Sequence, residues 1–549
     1  MLAAVAVGCR DDAPVPSVAP PPAEPSLVFN DVTDTAGITF HYTFGDFAYD
    51  NILESSGSGV AFLDYNNDGD YDLLFLNGRY LEDISDPKGR VFRDASNALY
   101  RNNGDGTFTD VTDDAGLGGG PWWSMAAGCA DYDGDGFVDV LVANYGSNRF
   151  FHNNGDGTFT DRTDDLGLAG PEKLNGGVKW SVAVAPFDGD GDGDLDILVG
   201  NFLAFDPYYL SPGSPHRMPS PVEYPGQPSS YYRRLADGRY EEVAAEVGLH
   251  FPQNKVMGLT VFDADEDGGL DIFQANDHHA NYLLRNRGDG TFEDVGAKAG
   301  VAVNHDGAET GSMHGSLGDV DGDGHIDILV TDLRYGSLYR NLGDGRFTDI
   351  ILASGAVVGL RGAEAWGAGL HDFDNDGDVD LFSTNGAAET LVEKPPTLML
   401  NDGAGNFVRV GGEAGPYFAE KRSGRGAAFG DYDNDGDIDI AINHVDLKAK
   451  ATLLRNDTNN GHHWFGVELE PTRGAPEPIG AVVRLTAGGR TQVRVYQPTQ
   501  SYLSQNDPRL HFGLGRDARV ETLEIQWPGR AVQKLTDLPA DQYYTVIEP

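Results

Sequence analysis

Along residues 28–455 the apolar residues gather in short runs, such as Val60-Ala-Phe-Leu63 and Leu73-Leu-Phe-Leu76, broken by Gly, Asn and Asp. Runs this short with such punctuation predict buried β-strands rather than helices. They come in pairs, each split by an acidic stretch of the form D-x-[DN]-x-D-G-x-φ-D, where φ is apolar or aromatic. The stretch begins at Asp64, Asp131, Asp188, Asp263, Asp319, Asp372 and Asp431, at intervals of 53 to 75 residues. That interval suits one four-stranded sheet with variable connections, and its repetition predicts a radial array of such sheets.

A second signature alternates with the first: Asn103-Gly-Asp-Gly-Thr-Phe108, Asn154-Gly-Asp-Gly-Thr-Phe159, Arg287-Gly-Asp-Gly-Thr-Phe292 and Leu342-Gly-Asp-Gly-Arg-Phe347, with weaker copies ending at Tyr240 and Phe407. A Gly-Asp-Gly turn between β-rich flanks predicts a hairpin joining the outer two strands of each sheet. One copy is displaced. Phe29-Asn-Asp-Val-Thr-Asp-Thr-Ala-Gly37 matches Phe108-Thr-Asp-Val-Thr-Asp-Asp-Ala-Gly116, yet precedes every acidic stretch. The N-terminal segment should therefore supply the outer strand of the last sheet, closing a ring and removing its free edges. The expected fold is all-β: a seven-bladed β-propeller over residues 28–455. Beyond it, residues 456–549 alternate as strands over 464–469, 481–486, 491–496, 520–527 and 543–547, predicting a small antiparallel β-domain.

The acidic stretches have a chemistry of their own. Calcium takes six to eight oxygens, and carboxylates two residues apart converge on one point when glycine lets the chain turn back. The first position is Asp64, Asp131, Asp188, Asp263, Asp319, Asp372 or Asp431; the third is Asn66, Asp133, Asp190, Asp265, Asp321, Asp374 or Asp433. The fifth is Asp68, Asp135, Asp192, Asp267, Asp323, Asp376 or Asp435, always followed by Gly. The seventh, which offers its carbonyl, is Asp70, Phe137, Asp194, Gly269, His325, Asp378 or Asp437, and the ninth is Asp72, Asp139, Asp196, Asp271, Asp327, Asp380 or Asp439. Position twelve is never Glu, which excludes the EF-hand. Up to seven Ca²⁺ ions, one per blade, are expected as cofactors, because clustered carboxylates without a cation repel one another.

Composition narrows the partners. The chain has 549 residues, 40% of them hydrophobic, and a formal charge of −47. Such a surface repels nucleic acid and anionic membranes, so no nucleic-acid partner is expected. No apolar run is long enough to span a bilayer. Cys129 sits in an apolar run and reads as a buried thiol. Cys9 closes Leu2-Ala-Ala-Val-Ala-Val-Gly8, which resembles the lipobox of bacterial lipoproteins although no basic residues precede it. A Pro-rich stretch follows, so residues 1–27 are expected to be a leader and tether, with lipidation at Cys9. The expected location is secreted or at the cell surface, with the membrane reached only through that lipid.

The acidic repeats resemble the FG-GAP or VCBS repeats of integrin-α-type propellers over about residues 28–455. The C-terminal segment resembles the ASPIC/UnbV domain through Ile479-Gly-Ala-Val-Val-Arg484, Gln500-Ser-Tyr-Leu-Ser-Gln505, His511-Phe-Gly-Leu-Gly515 and Ile525-Gln-Trp-Pro-Gly529. Together they resemble a bacterial member of the cartilage acidic protein family. The resemblance implies integrin-α-like calcium loops and a secreted, non-enzymatic protein linked with adhesion.

If each acidic loop joins the innermost strand to the second, the ions share one face of the ring. The opposite face then collects Trp123, Trp180, Trp366 and His314 from before or within the first strands, and Asn144, Asn201, Asn276, Asp277, His278, Asp332, Asn385, Asn443 and His444 from the ends of the second. Aromatic and amide groups around a channel mouth suit a hydroxyl-bearing ligand, so an extracellular glycan or protein is the expected partner of a monomeric, non-catalytic protein. The bland alternative is that the Trp residues pack between blades and the Asn residues cap turns. The connection from Leu203 to Tyr232, rich in Pro and Tyr, should emerge on the same face. The competing function is a sugar lyase or dehydratase using Asp277, His278, His279 and His314, although His278 and His279 point apart in a strand unless a bulge intervenes.

Overall fold

A computed structural model describes residues 27–549 except 47–48, 83, 86–94, 212–217 and 446–448. Cys9 and the expected leader lie outside the described residues. The chain is all-β, and no described helix is long and apolar enough to cross a membrane. In the first repeat Val60–Leu63, Asp72–Phe75, Ala98–Asn102 and Phe108–Asp110 pair antiparallel in chain order. The same order recurs in the sheets that begin with Trp123–Ala130, Ser181–Phe187, Val256–Phe262, Thr310–Gly318 and Ala365–His371. The last sheet takes Gly424–Gly430, Asp439–His444 and Thr452–Asn456 from one end of the chain and Phe29–Asp31 from the other, with Phe29 opposite Asn456. Innermost strands neighbour one another in cyclic order, the last against the first, an arrangement consistent with a β-propeller.

Stacking of blades explains the apolar runs. The inner strands are buried on both faces, whereas outer strands such as Phe108–Asp110 bury one residue and expose the next two. Six blades are also clamped by an asparagine at the end of the third strand. Asn102, Asn153, Asn286, Asn341, Asn401 and Asn456 each donate the backbone N–H to the ninth-position carboxylate of their own loop, at 2.7–2.9 Å. Their Nδ2 groups donate to the second-position carbonyl of the preceding blade's loop, at Tyr432, Tyr65, Gly189, Ala264, Val320 and Phe373. In the third blade Arg234 occupies this place. Asn401→Ala would orphan buried carbonyls at Val320 and Val379 and is expected to cost about 2–3 kcal/mol in urea unfolding with calcium present.

The C-terminal region forms two sheets. His463–Glu470 runs between Leu510–Gly515 and Tyr543–Ile547, while Val482–Ala487 pairs with Arg490–Val495 and Arg519–Gln526, the latter also with Gln533–Pro539. The expected all-antiparallel arrangement needs correction: Tyr543–Ile547 is parallel to His463–Glu470, because the chain leaves Gln533–Pro539 in one sheet and crosses to the other before its last strand. The region shares a core with the ring, since Phe465, Leu485 and Trp527 belong to the same buried cluster as Val256, Leu259 and Ile272.

Between its sheets this region sends residues 497–507 into the centre of the ring. Gln505 adds to the first blade by accepting from Phe62 N–H and donating its own N–H to Val60 O, while its amide side chain brackets the backbone of Cys129 in the second, Oε1 taking the Cys129 N–H and Nε2 donating to its carbonyl. Gln497 reaches Val261 O in the fourth blade, Gln500 takes the Leu317 N–H in the fifth, and Asn506 takes the Phe429 N–H in the seventh. Tyr502, fully buried, lies 5.1 Å from Trp366 and donates to Ser56 O at 3.0 Å. Ser56 ends the short helix Ile52–Ser56, whose neighbour Tyr49 donates to Ala388 O, in the connection after the second strand of the sixth blade. The inserted segment and this helix thereby meet among the inner strands, where Arg425 of the seventh blade also donates to Ser55 O.

Candidate metal centres

Each acidic stretch links the first strand of a blade to the second, and its backbone is shaped by its own carboxylates. The first-position Asp accepts the N–H of the sixth residue, as Asp64 does from Gly69 at 2.9 Å and Asp372 from Gly377 at 2.7 Å. The fifth accepts the N–H of the seventh, as Asp135 does from Phe137 at 2.9 Å. These bonds close the turn only if residue six is left-handed, and all seven glycines there have φ between 85° and 98°. Neighbouring loops are tied together by the fourth residue: Asn67 donates to Gly136 O, Asn375 to Gly436 O and Asn434 to Asp70 Oδ1.

Carboxylates converge as the spacing predicts. Ligand atoms of Asp131, Asp133 and Asp135, of Asp188, Asp190 and Asp192, of Asp263, Asp265 and Asp271, and of Asp319, Asp321 and Asp327 lie within 4.8 Å of one another, so these groups could hold a metal ion. Seventh-position side chains instead turn to neighbours: Asp194 to Arg234, Asp378 to Arg490 and His325 to Glu266. Third-position oxygens of Asn66, Asp265, Asp321 and Asp433 are buried without a hydrogen-bond partner. Burial pushes Asp72, Asp271 and Asp327 up to about 8 and Asp139 and Asp196 to about 7, with adjacent carboxylates adding to the effect. Orphaned acceptors and carboxylates held far above their ordinary range are what a site for a hard cation shows before the cation is added, so the residues fit calcium.

The C-terminal region sits on these loops. His511 Nε2 lies 2.9 Å from Gly436 O, the Gly515 N–H donates to Asn375 O, and Glu477 accepts the Asp131 N–H at 3.0 Å. Arg509 donates to Asp431 O and Asn434 Oδ1 while stacking on Tyr71 and Tyr543. A Cβ on Gly436 would stand 1.9 Å from Trp464, so this glycine serves the docking as well as the turn.

The residues expected to line a ligand face are inside the protein. Trp123 and Trp180 are fully buried; Trp180 packs on Tyr145 and Phe202, and Trp366 donates Nε1 to Gly386 O beneath the Arg425 guanidinium. Asn144, Asn201, Asn276 and Asn385 donate Nδ2 to carbonyls of their own following turns, and Asn443 to Gly59 and Leu76. His314 and His444 are held down, to about 4 and about 3, by burial. The channel-mouth lining expected of these residues is not what the structure shows: packing between and within blades buries them. Of the set, His278 alone is part-exposed. It occupies a bulge, with φ of 50° and a register shift between Asp277 and His279, that lets the fourth blade pair with the fifth. Asp277 Oδ1 lies 3.7 Å from His278 Nε2; this oxygen and Asp332 Oδ2 are buried without hydrogen bonds.

Ringed four-stranded sheets, each with a carboxylate-rich turn between its first two strands, define a repeat-built all-β protein whose acidic clusters could hold metal ions. Profile comparison agrees: the FG-GAP-like repeat matches residues 89–142, 131–199, 263–330, 319–383 and 372–442, and ASPIC and UnbV matches residues 471–549. The chain belongs to the FG-GAP-like repeat proteins and carries a C-terminal ASPIC/UnbV domain. Cartilage acidic protein 1 of Homo sapiens is 28% identical over 307 residues, covering 53% of this chain and 44% of the relative; that of Mus musculus is 27% identical over 322 residues, covering 56% and 47%. The chain thus spans less than half the length of these curated relatives. Among solved structures, the BP39L lectin of Burkholderia pseudomallei has a TM-score of 0.41 at 11% identity, covering 70% of this chain and 92% of that one. An Agrocybe aegerita lectin described as recognising non-reducing terminal N-acetylglucosamine has a TM-score of 0.38 at 18% identity, covering 73% and 94%. Likenesses this loose add nothing to the architecture described above.

Proposed function

We propose that the chain is a calcium-loaded, seven-bladed propeller that acts outside the cell as a non-catalytic binding protein, held at the surface by a lipid on Cys9 and recognising a glycan. The observation that supports recognition is the connection between Asp196–Asn201 and Ser230–Arg234, which presents Tyr208, Leu210 and Val222 at 72%, 63% and 56% exposure. An exposed aromatic ring is a stacking platform for a sugar face, exposed apolar side chains in the same connection add contact area, and surface connections on a rigid scaffold are where binding residues concentrate. With the expected lining residues buried, this connection replaces the channel mouth as the expected contact. On a glycan array with calcium present, Tyr208→Ala should lower binding on the order of 10-fold. An unchanged array signal in Tyr208→Ala, or no glycan bound by the wild type, would retire the reading.

A second reading rests on the bulge at His278. Two buried carboxyls, of which burial holds Asp277 up to about 6, flank a part-exposed imidazole, the ingredients of acid–base chemistry on a sugar. Eliminase activity on polyuronides that disappears in His278→Ala would establish it in place of the binding role.

A further inference from the structure

Three peculiarities meet at the junction of the second and third blades. The residue before the clamping position is Arg in five blades (Arg101, Arg233, Arg285, Arg340 and Arg455) and Leu400 in the sixth, but His152 in the second. Its Nδ1 lies 3.1 Å from Asp139 Oδ1 and 3.4 Å from Asp133 Oδ2, and ligand atoms of the three residues all fall within 4.8 Å of one another.

The second peculiarity is an unsatisfied oxygen. Asp139 is fully buried, and its Oδ2 has no hydrogen-bond partner. The same oxygen is occupied in every other blade. It accepts the second-position N–H at Asp72, Asp271, Asp327, Asp380 and Asp439, and the Tyr231 hydroxyl at Asp196.

The third is space. At this junction Arg234 stands where the asparagine clamp would be, and a cavity of about 180 Å³ opens there, lined by Tyr132, Asp133, His152, Arg162, Arg234 and Tyr240. His152 is reached through it, its side chain being 22% exposed.

Calcium and magnesium select oxygen, whereas imidazole with carboxylates suits zinc, cobalt, nickel or copper. Ligand atoms about 3.3 Å apart form the edge of a tetrahedron with metal bonds of about 2.0–2.1 Å, which the two His152 distances approach. We propose that the second blade holds a mixed imidazole–carboxylate site for a first-row transition ion such as Zn²⁺, built from His152, Asp133 and Asp139. The cavity leaves a coordination position open to water or to a small exogenous ligand. The proposal rests on reading the acidic loops as divalent-cation sites, but sets this loop apart from the other six by the ion it prefers.

Tag-free protein saturated with Ca²⁺ and titrated with Co²⁺ tests it. One equivalent should bind with visible d–d absorption and resist excess Ca²⁺. His152→Arg, which restores the residue most blades carry, should weaken Co²⁺ binding about 10-fold or more while leaving calcium uptake at the other loops and calcium-dependent melting intact. Unchanged Co²⁺ binding in His152→Arg, or full displacement of Co²⁺ by Ca²⁺ in the wild type, would overturn the assignment. His152-dependent Co²⁺ binding in a protein that takes up no Ca²⁺ would keep this site and discard calcium at the others.

Discussion

Stripping calcium should lower the melting temperature of this protein by about 10–20 °C. Each site kept at 100 times its Kd adds about 2.7 kcal/mol, and a chain of this size loses roughly 1 °C per kcal/mol, so several loops together produce a shift of that order. The metal-free form should also carry a distinctive pH dependence. Five of its ninth-position carboxyls, Asp72, Asp139, Asp196, Asp271 and Asp327, are held at about 7–8 by burial, against about 3.9 for an unfolded aspartate, and burial raises Asp380 and Asp439 as well. Between about pH 4 and pH 8 the folded apo chain therefore binds more protons than the unfolded one, and its stability falls as pH rises through that window. Metal-free protein should melt higher at pH 5 than at pH 8, while the calcium-loaded form loses much less over the same range. Scanning calorimetry at both pH values, with and without calcium, reads both effects; coincident melting curves at pH 8 would remove calcium from the loops.

Tyr502→Ala should destabilise the whole chain by about 3–5 kcal/mol, the usual cost of deleting a fully buried aromatic ring. The ring packs on Trp366 and its hydroxyl holds Ser56 O, so the change opens a void on the axis where three distant parts of the chain meet. A companion variant approaches the same contact from the ring side. A Cβ on Gly59 would stand 1.7 Å from Leu503 O, so Gly59→Ala should push the inserted segment outward without removing any side chain. Urea unfolding in calcium compares the two; a loss under about 0.5 kcal/mol in Tyr502→Ala would mean that the insertion carries no stability.

The ring was readable because its signals are local and repeated. Paired apolar runs, the D-x-[DN]-x-D-G turn and the displaced copy at Phe29–Asp31 each recur at fixed offsets, and the pairing of Phe29 with Asn456 follows from that displacement. Five of the six clamping asparagines, all but Asn456, stand immediately before a copy of the second signature, but their partners are backbone carbonyls in another blade, which leave no trace in side-chain identity. The same blindness hid the axial segment. Gln500-Ser-Tyr-Leu-Ser-Gln505 has neither strand nor helix periodicity, and most of its contacts are to main-chain groups of Val60, Cys129 and Leu317. Glycine at 59 and 426, where a Cβ would strike Leu503 O or Ser504 Oγ, was the available hint. For Trp123, Trp180 and Trp366 the sequence gives a place along the strand but not whether the space in front of it is filled.

The two termini of the fold finish the same object at opposite moments of its synthesis. Phe29–Asp31 emerges from the ribosome first and waits for Thr452–Asn456, and Ser56 waits longer still for Tyr502. A nascent chain arrested before that tyrosine lacks the contact that joins Ser56 to Tyr502, so the resistance of the finished ring to pulling should appear in a late step rather than blade by blade.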